Sequence, residues 1–219
     1  MNRKELEITD EWQPTENYKA MEEIPGVDVA YFLAGGVLYL SFNTAKPPLD
    51  DVHFRRALIY SFDYKTCHEK IYPEAKRTNS PIGSALPGWD PTMPLLERDL
   101  EKAKAELAQS PYADKLDQYP VEFAWVSEVP DEEKVALLMQ SNAADIGIKI
   151  EVTKNPWLTM VDRAASAGPA LISSLRSRPA FPTRKPGPCL RRGITPQEEG
   201  LLPMFTGSRM RFKASSTSC

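Results

Sequence analysis

Residues 50–68 hold the side chains best suited to chemistry: Asp50, Asp51, His53, Arg55, Arg56, Cys67 and His68. Adjacent acids such as Asp50-Asp51 can hold a metal or share a proton, but just before an apolar helical pattern they serve equally as an N-cap. Arg55-Arg56 can bind an anion; on a helix just after a cap, at least one is expected to pair with a surface carboxylate. His53 and His68 stand apart without ligand-like partners, so no metal site is expected. Cys67 and His68 are sequence neighbours, and neighbours on a helix point about 100° apart, which prevents a nucleophile–base pair. No Gly-x-Ser-x-Gly element is present, and there are two histidines in all. The expectation is therefore a chain with no catalytic residues, no metal and no cofactor, and not an enzyme.

The elements that position these residues read as strand, proline turn and capped helix. Leu38-Tyr39-Leu40-Ser41-Phe42 is strand-like, Asn43-Thr44 break it, and Pro47-Pro48 stiffen the exit because proline fixes φ and lacks an amide hydrogen. Asp50 or Asp51 then caps a helix whose apolar residues include Val52, Leu58 and Phe62.

Upstream, Glu11 to Glu23 reads as a turn or short helix with Tyr18 and Met21 inward. Val27 to Phe32 is a strand, and Gly35-Gly36 a hairpin-like link to the Leu38 strand. Downstream, Tyr64 to Ile71 extends the first helix or forms a second short one. Five prolines between Pro73 and Pro94 exclude a regular helix there. Leu96 to Gln109 is a helix that Asp99 can cap. Val121 to Val126 is a strand, and Pro130-Asp131-Glu132-Glu133 opens a helix with acids where the helix dipole favours them. Its stripe is Val135, Leu138, Met139, Asn142 and Ile146, and Gly147 ends it. Ile148 to Val152 alternates as a strand, which completes a βαβ unit with parallel strands. Pro156-Trp157-Leu158 opens a last helix through Arg163.

Composition adds a boundary. The chain has 219 residues and a net charge of −3, and the hydrophobic fraction of 42% suffices for a core. Residues 167–219 carry nine basic and two acidic residues and seven of the 20 prolines, which leaves 18 basic against 28 acidic in residues 1–166. The expected division is a lead-in at 1–23, one α/β unit at 24–166, and a basic Pro-rich tail at 167–219, disordered or frame-shifted. The net charge implies no nucleic-acid partner. No apolar run approaches the roughly 18 to 20 residues of a membrane helix, so no membrane insertion is expected. Cys67, Cys189 and Cys219 do not suggest a disulfide framework.

The run FNTAKPPLDDVHFRRALIYSFDY resembles the family 5 extracellular solute-binding proteins, the receptors of ABC importers for peptides, nickel and related solutes. The matching elements are Phe42-Asn43-Thr44, Pro47-Pro48, Leu49-Asp50-Asp51-Val52, Arg55-Arg56-Ala57-Leu58 and Phe62-Asp63-Tyr64. His53, Phe54 and Ser61 depart from the usual family residues. The resemblance extends over about Ile24 to Arg163, and the family pattern does not continue past Ala165. It implies one lobe of a type II periplasmic-binding-protein-like fold, a mixed sheet with flanking helices. It also implies a peptide or other small solute as ligand and ABC permease subunits as partners. By the same resemblance, Trp157 lies near the carboxyl ends of the strands, where ligands of open α/β sheets gather, and can face the cleft or anchor its helix in the core. Asn43 can likewise face the cleft or tie down its turn. Both are candidate ligand-side residues. Intact family members are periplasmic or at the cell surface; the first residues do not read as a signal peptide, so the chain as given would be cytoplasmic. The expected role is a receptor fragment that does not bind alone. The alternatives are a ligand-sensing fragment of a transcription regulator and a non-functional gene remnant.

Overall fold

The computed structural model describes residues 12–84, 86–165, 171–176 and 201–214. Six helices and six strands follow in order: α1 (Thr15–Glu22), β1 (Val27–Phe42), α2 (Val52–Ser61), α3 (Tyr64–Thr66), β2 (Lys76–Arg77), α4 (Leu100–Gln109), β3 (Val121–Val126), α5 (Asp131–Ala144), β4 (Ile150–Asn155), α6 (Trp157–Ala165), β5 (Leu171–Arg176) and β6 (Leu201–Ala214). A π-helical turn, Cys67–Ile71, continues α3. The strands form one sheet in the order β2-β6-β1-β5-β3-β4.

The strand–helix–strand unit forms as its alternation implies. β3 and β4 are parallel, with Val121 opposite Ile150 and Val126 opposite Asn155, and α5 crosses between them. Val135, Met139, Asn142 and Ile146 are buried along the expected stripe. Gly147 follows α5 at φ +83°, a left-handed geometry in which a side chain is strained, and the amide of Ile148 donates to the carbonyl of Ala143 at 3.0 Å to close the turn.

The turn before α2 also forms as read. Asp51 is the N-cap, with Oδ2 accepting from the amide of Phe54 at 2.8 Å. Asp50 does different work, accepting from the Tyr112 hydroxyl at 2.9 Å. Arg55 turns inward rather than to a surface carboxylate: it is buried, and Nη1 donates to the carbonyls of Leu49 at 2.8 Å and Asp50 at 3.0 Å. The guanidinium thereby holds the turn closed from inside.

Three expectations need correction. The strands on either side of Gly35-Gly36 are not a hairpin but one strand, β1. Both halves pair antiparallel with β6, Val27–Leu33 against Ala214–Ser208 and Val37–Ser41 against Thr206–Leu201, with a register shift between Leu33 and Val37. One long partner keeps the halves in line, and the glycines fall in the irregularity. Second, α4 begins at Leu100, not Leu96. Pro94 precedes it, the Leu96 carbonyl accepts from Arg77 Nη2 at 2.6 Å, and Asp99 caps the amide of Lys102 at 3.0 Å. Third, the tail is not disordered throughout. β5 sits inside the sheet, antiparallel to β1 and parallel to β3, and β6 pairs with both β1 and β2. Ile172 supplies a fully buried apolar side chain at the sheet centre. The remaining tail residues lie outside those described.

The core lies on one face of the sheet. Leu38, Leu40, Phe42, Phe123, Trp125, Ile150 and Ile172 pack there with Phe54, Leu58, Phe62, Val135 and Met139. Each large apolar side chain fully buried contributes about 1.5–3 kcal/mol. On the opposite face Ala124, Val126, Val129 and Met160 form a smaller cluster under α6. The lead-in helix α1 docks on α5. Asp131 Oδ2 accepts from the amide of Thr15 at 3.2 Å, and Lys134 Nζ lies 2.6 Å from Glu16 and 2.9 Å from Asp131.

Candidate ligand-facing edge

The parallel strands β3 and β4 end together at Val126 and Asn155, and the chain leaves each by a tight connection. Ser127 donates its amide to the carbonyl of Asn155 at 2.9 Å, which holds the two exits side by side. The buried carboxylate of Glu132, in the first turn of α5, accepts from the amide of Val126 at 3.1 Å. These bonds tie the two strand exits together at the carboxyl edge, where ligands of open α/β sheets gather.

Trp157 opens α6 at this edge. Its side chain is 50% exposed, so it is not a core anchor. Leu158, at 75%, and Val161, at 45%, are exposed beside it. Glu128, exposed on the β3–α5 connection, accepts the Trp157 amide at 3.2 Å from each carboxylate oxygen. That amide and the Ser127 hydroxyl hold the Glu128 carboxyl below the usual range, so it carries its charge.

A polar network fastens α6 to the sheet. Arg163 grips Glu122 with both terminal nitrogens, at 2.8 and 2.5 Å, and Nη1 reaches Asn155 Oδ1 at 3.2 Å. The Thr153 hydroxyl donates to Glu122 as well. Burial opposes the Glu122 charge, but the hydrogen bonds from Arg163 and Thr153 outweigh it and hold the carboxyl below its ordinary value. Glu122, Thr153 and Asn155 share one sheet face because β3 and β4 are in register.

Asn43 lies elsewhere. Phe42 pairs with Ile172, which pairs with Phe123, and β1 runs antiparallel to β5. Asn43 therefore emerges toward the amino ends of β3 and β4, opposite to Trp157. Its Oδ1 accepts from the Ala45 amide at 3.2 Å, the local turn bond open to it from sequence. The two candidate ligand-side residues are not brought together.

Cys67, His68 and His53, first considered for chemistry, make these contacts. Burial pushes the Cys67 thiol well above its usual range, and the side chain is enclosed. His68 Nε2 lies 2.7 Å from the carbonyl of Ala75, and His53 Nδ1 lies 2.7 Å from Glu106. Glu122, Glu128, Asn155 and Arg163 were not singled out from sequence. The available signal was a run of polar residues on one alternating face, Glu122 in β3 with Thr153 and Asn155 in β4.

A mixed sheet with a βαβ unit, a hydrophobic core on one face and an open carboxyl edge defines a lobe of a type II periplasmic-binding-protein-like fold. The backbone bears this out. It superposes on the crystal structure of a dipeptide-binding protein from Pseudoalteromonas sp. SM9913 in complex with Met-Leu with a TM-score of 0.80 and 17% identity, over 97% of this chain and 50% of that one. Residues 1–181 match the model for "Bacterial extracellular solute-binding proteins, family 5 Middle", and the chain belongs to that family. The match runs past Ala165, so the family pattern does continue into the tail. Among curated relatives, the chain is 31% identical over 166 residues to the probable D,D-dipeptide-binding periplasmic protein DdpA of Escherichia coli K12, covering 74% of this chain and 31% of the relative. It is 30% identical over 134 residues to heme-binding protein A of Haemophilus influenzae, covering 58% and 24%. The chain thus spans about a third or less of these relatives. Among the described residues, no helix is long and apolar enough to cross a membrane.

Proposed function

We propose that this chain is part of the substrate-binding component of an ABC importer for peptides or similar small solutes, acting in the periplasm or at the cell surface with ABC permease subunits as partners. It is a binding protein and not an enzyme. The observation that carries this reading is the family match over residues 1–181 together with 31% identity to a dipeptide-binding relative. The carboxyl edge of β3 and β4, with Trp157 half exposed on it, supplies one wall of the ligand cleft. A cleft that holds a small molecule encloses about 70–90% of its surface, so a single wall does not retain a ligand by itself. The chain covers 31% of the Escherichia coli relative, and we assign the opposing wall to residues outside that share. A chimaera tests the reading: residues 24–163 replace the matching segment of the Escherichia coli relative. Ligand that binds only the folded state raises its melting temperature. At least one member of a panel of di- and tripeptides is expected to do so. A folded chimaera stabilised by none of them would sink the proposal.

A further inference from the structure

We infer that the outward side of α6, at Leu158 and Val161, is the docking surface for residues 177–200 of the same chain, the connection from β5 to β6. That side is apolar and open: Leu158 is 75% and Val161 45% exposed. Met160 and Arg163 of the same helix already face the sheet, Met160 in the cluster with Ala124 and Val126, and Arg163 on Glu122. The sheet therefore covers one apolar side of α6 and leaves another in water. An apolar stripe turned away from the core its helix already covers marks a contact with something else.

Topology selects the segment. β5 and β6 both run antiparallel to β1, which lies between them, so they are parallel to each other. Parallel strands need a crossover of about a dozen residues or more, and residues 177–200 are the chain between Arg176 and Leu201. Such crossovers are right-handed. The step from β3 to β4 through α5 and the step from β4 to β5 through α6 run in opposite directions along the sheet, so their helices lie on opposite faces, each over its own apolar cluster. The step from β5 to β6 runs in the direction of the α6 step and so crosses on the α6 face. Viewed from that face with the parallel strands pointing up, the order from left to right is β4, β3, β5, β1, β6, and α6 points down. With Met160 and Arg163 against the sheet, successive residues about 100° apart place Val161 on the right flank, Leu158 at the crest and Thr159 on the left. The apolar flank thus faces the side on which the connection runs, while Trp157, the first residue of α6, stays at the strand ends. Composition agrees. Residues 177–200 offer Phe181, Leu190 and Ile194 to an apolar surface, and their five basic residues against two acidic complement the exposed Asp162 on α6.

The test uses the native Cys189, which lies in that segment, in the 219-residue chain carrying Cys219→Ser. Cys67 is fully enclosed and stays out of the reaction. Val161→Cys puts a thiol on the apolar flank, Leu158→Cys gives a second placement at the crest, and Thr159→Cys, exposed on the other flank of the same turn, is the control. Under mild oxidation a docked segment should link Cys189 to position 161 or 158 several times faster than to position 159, read as a shifted, reducible monomer band. A free tether reaches both flanks at the same effective concentration and gives a ratio of about one. Phe181→Ala with Leu190→Ala should bring the docked ratio down toward that value, and a cooperative melt verifies that each variant folds. Equal rates on the two flanks, or a ratio unchanged by Phe181→Ala with Leu190→Ala, would overturn the inference. A disulfide joining two copies through position 161 would assign the flank to a second chain and overturn it as well.

Discussion

Arg163 and Glu122 form a two-pronged ion pair, 2.8 and 2.5 Å, between α6 and the second residue of β3. Both side chains are mostly removed from solvent, at 23% and 19% exposure. The pair ties α6, the helix whose first residue is Trp157, to the sheet. Removing Arg163 leaves the largely buried Glu122 charge with the Thr153 hydroxyl as its remaining hydrogen-bond donor among the described residues. Arg163→Ala should lower the unfolding free energy by about 1–3 kcal/mol. Lysine provides no planar fork, so Arg163→Lys should recover only part of this. Chemical denaturation of the two variants measures both.

The same pair makes stability depend on pH. Glu122 is held below its ordinary value in the fold, so the unfolded chain takes up this proton at a higher pH than the folded one. Its contribution is therefore complete above the ordinary glutamate range and is lost as pH falls through the depressed folded value. Glu122→Gln should flatten that acid limb in a stability profile from neutral pH downward. An unchanged acid limb would show that other carboxylates dominate it.

Asp50 and Asp51 should separate cleanly on mutation. Asp51→Ala removes the N-cap of α2 and should cost about 0.5–2 kcal/mol. Asp50→Ala removes an exposed hydrogen bond to Tyr112 and should stay within about 0.5 kcal/mol. Thermal melts of the two variants should rank in that order, and the reverse order would contradict the cap assignment.

Ile172 tests the place of the tail. It is fully buried where β5 lies between β1 and β3. Ile172→Ala should cost about 2–5 kcal/mol, and ending the chain at residue 166 should abolish cooperative unfolding. A melt unaffected by either change would return β5 to the disorder expected from the charge and proline break.

What sequence made legible was local. Asp51 as a cap, the Val135–Met139–Asn142 stripe and the Gly147 stop all depend on residues within a turn or two. The parallel pairing of β3 and β4 followed from the helix between them. The continuity of β1 was hidden because its partner, β6, lies far along the chain. The placement of β5 was hidden because a short apolar run, Leu171-Ile172, sits in basic, Pro-rich surroundings. The candidate site divides in the same way. Trp157 could be placed at the strand ends through the family resemblance, whereas Asn43 required the antiparallel register of β1 to be sent to the other end. Glu122 and Arg163 are 41 positions apart, and only the register of β3 and β4 with α6 above them brings the pair together.

The central claim is that this chain is one wall of a solute-binding cleft. Losing half of the enclosing contacts costs several kcal/mol, and each 1.4 kcal/mol is about tenfold in affinity. A micromolar receptor so reduced falls to millimolar or weaker. Calorimetric titration of the 219-residue chain with di- to pentapeptides should therefore show no saturable heat below about 1 mM. A micromolar dissociation constant measured on this chain alone would contradict the claim.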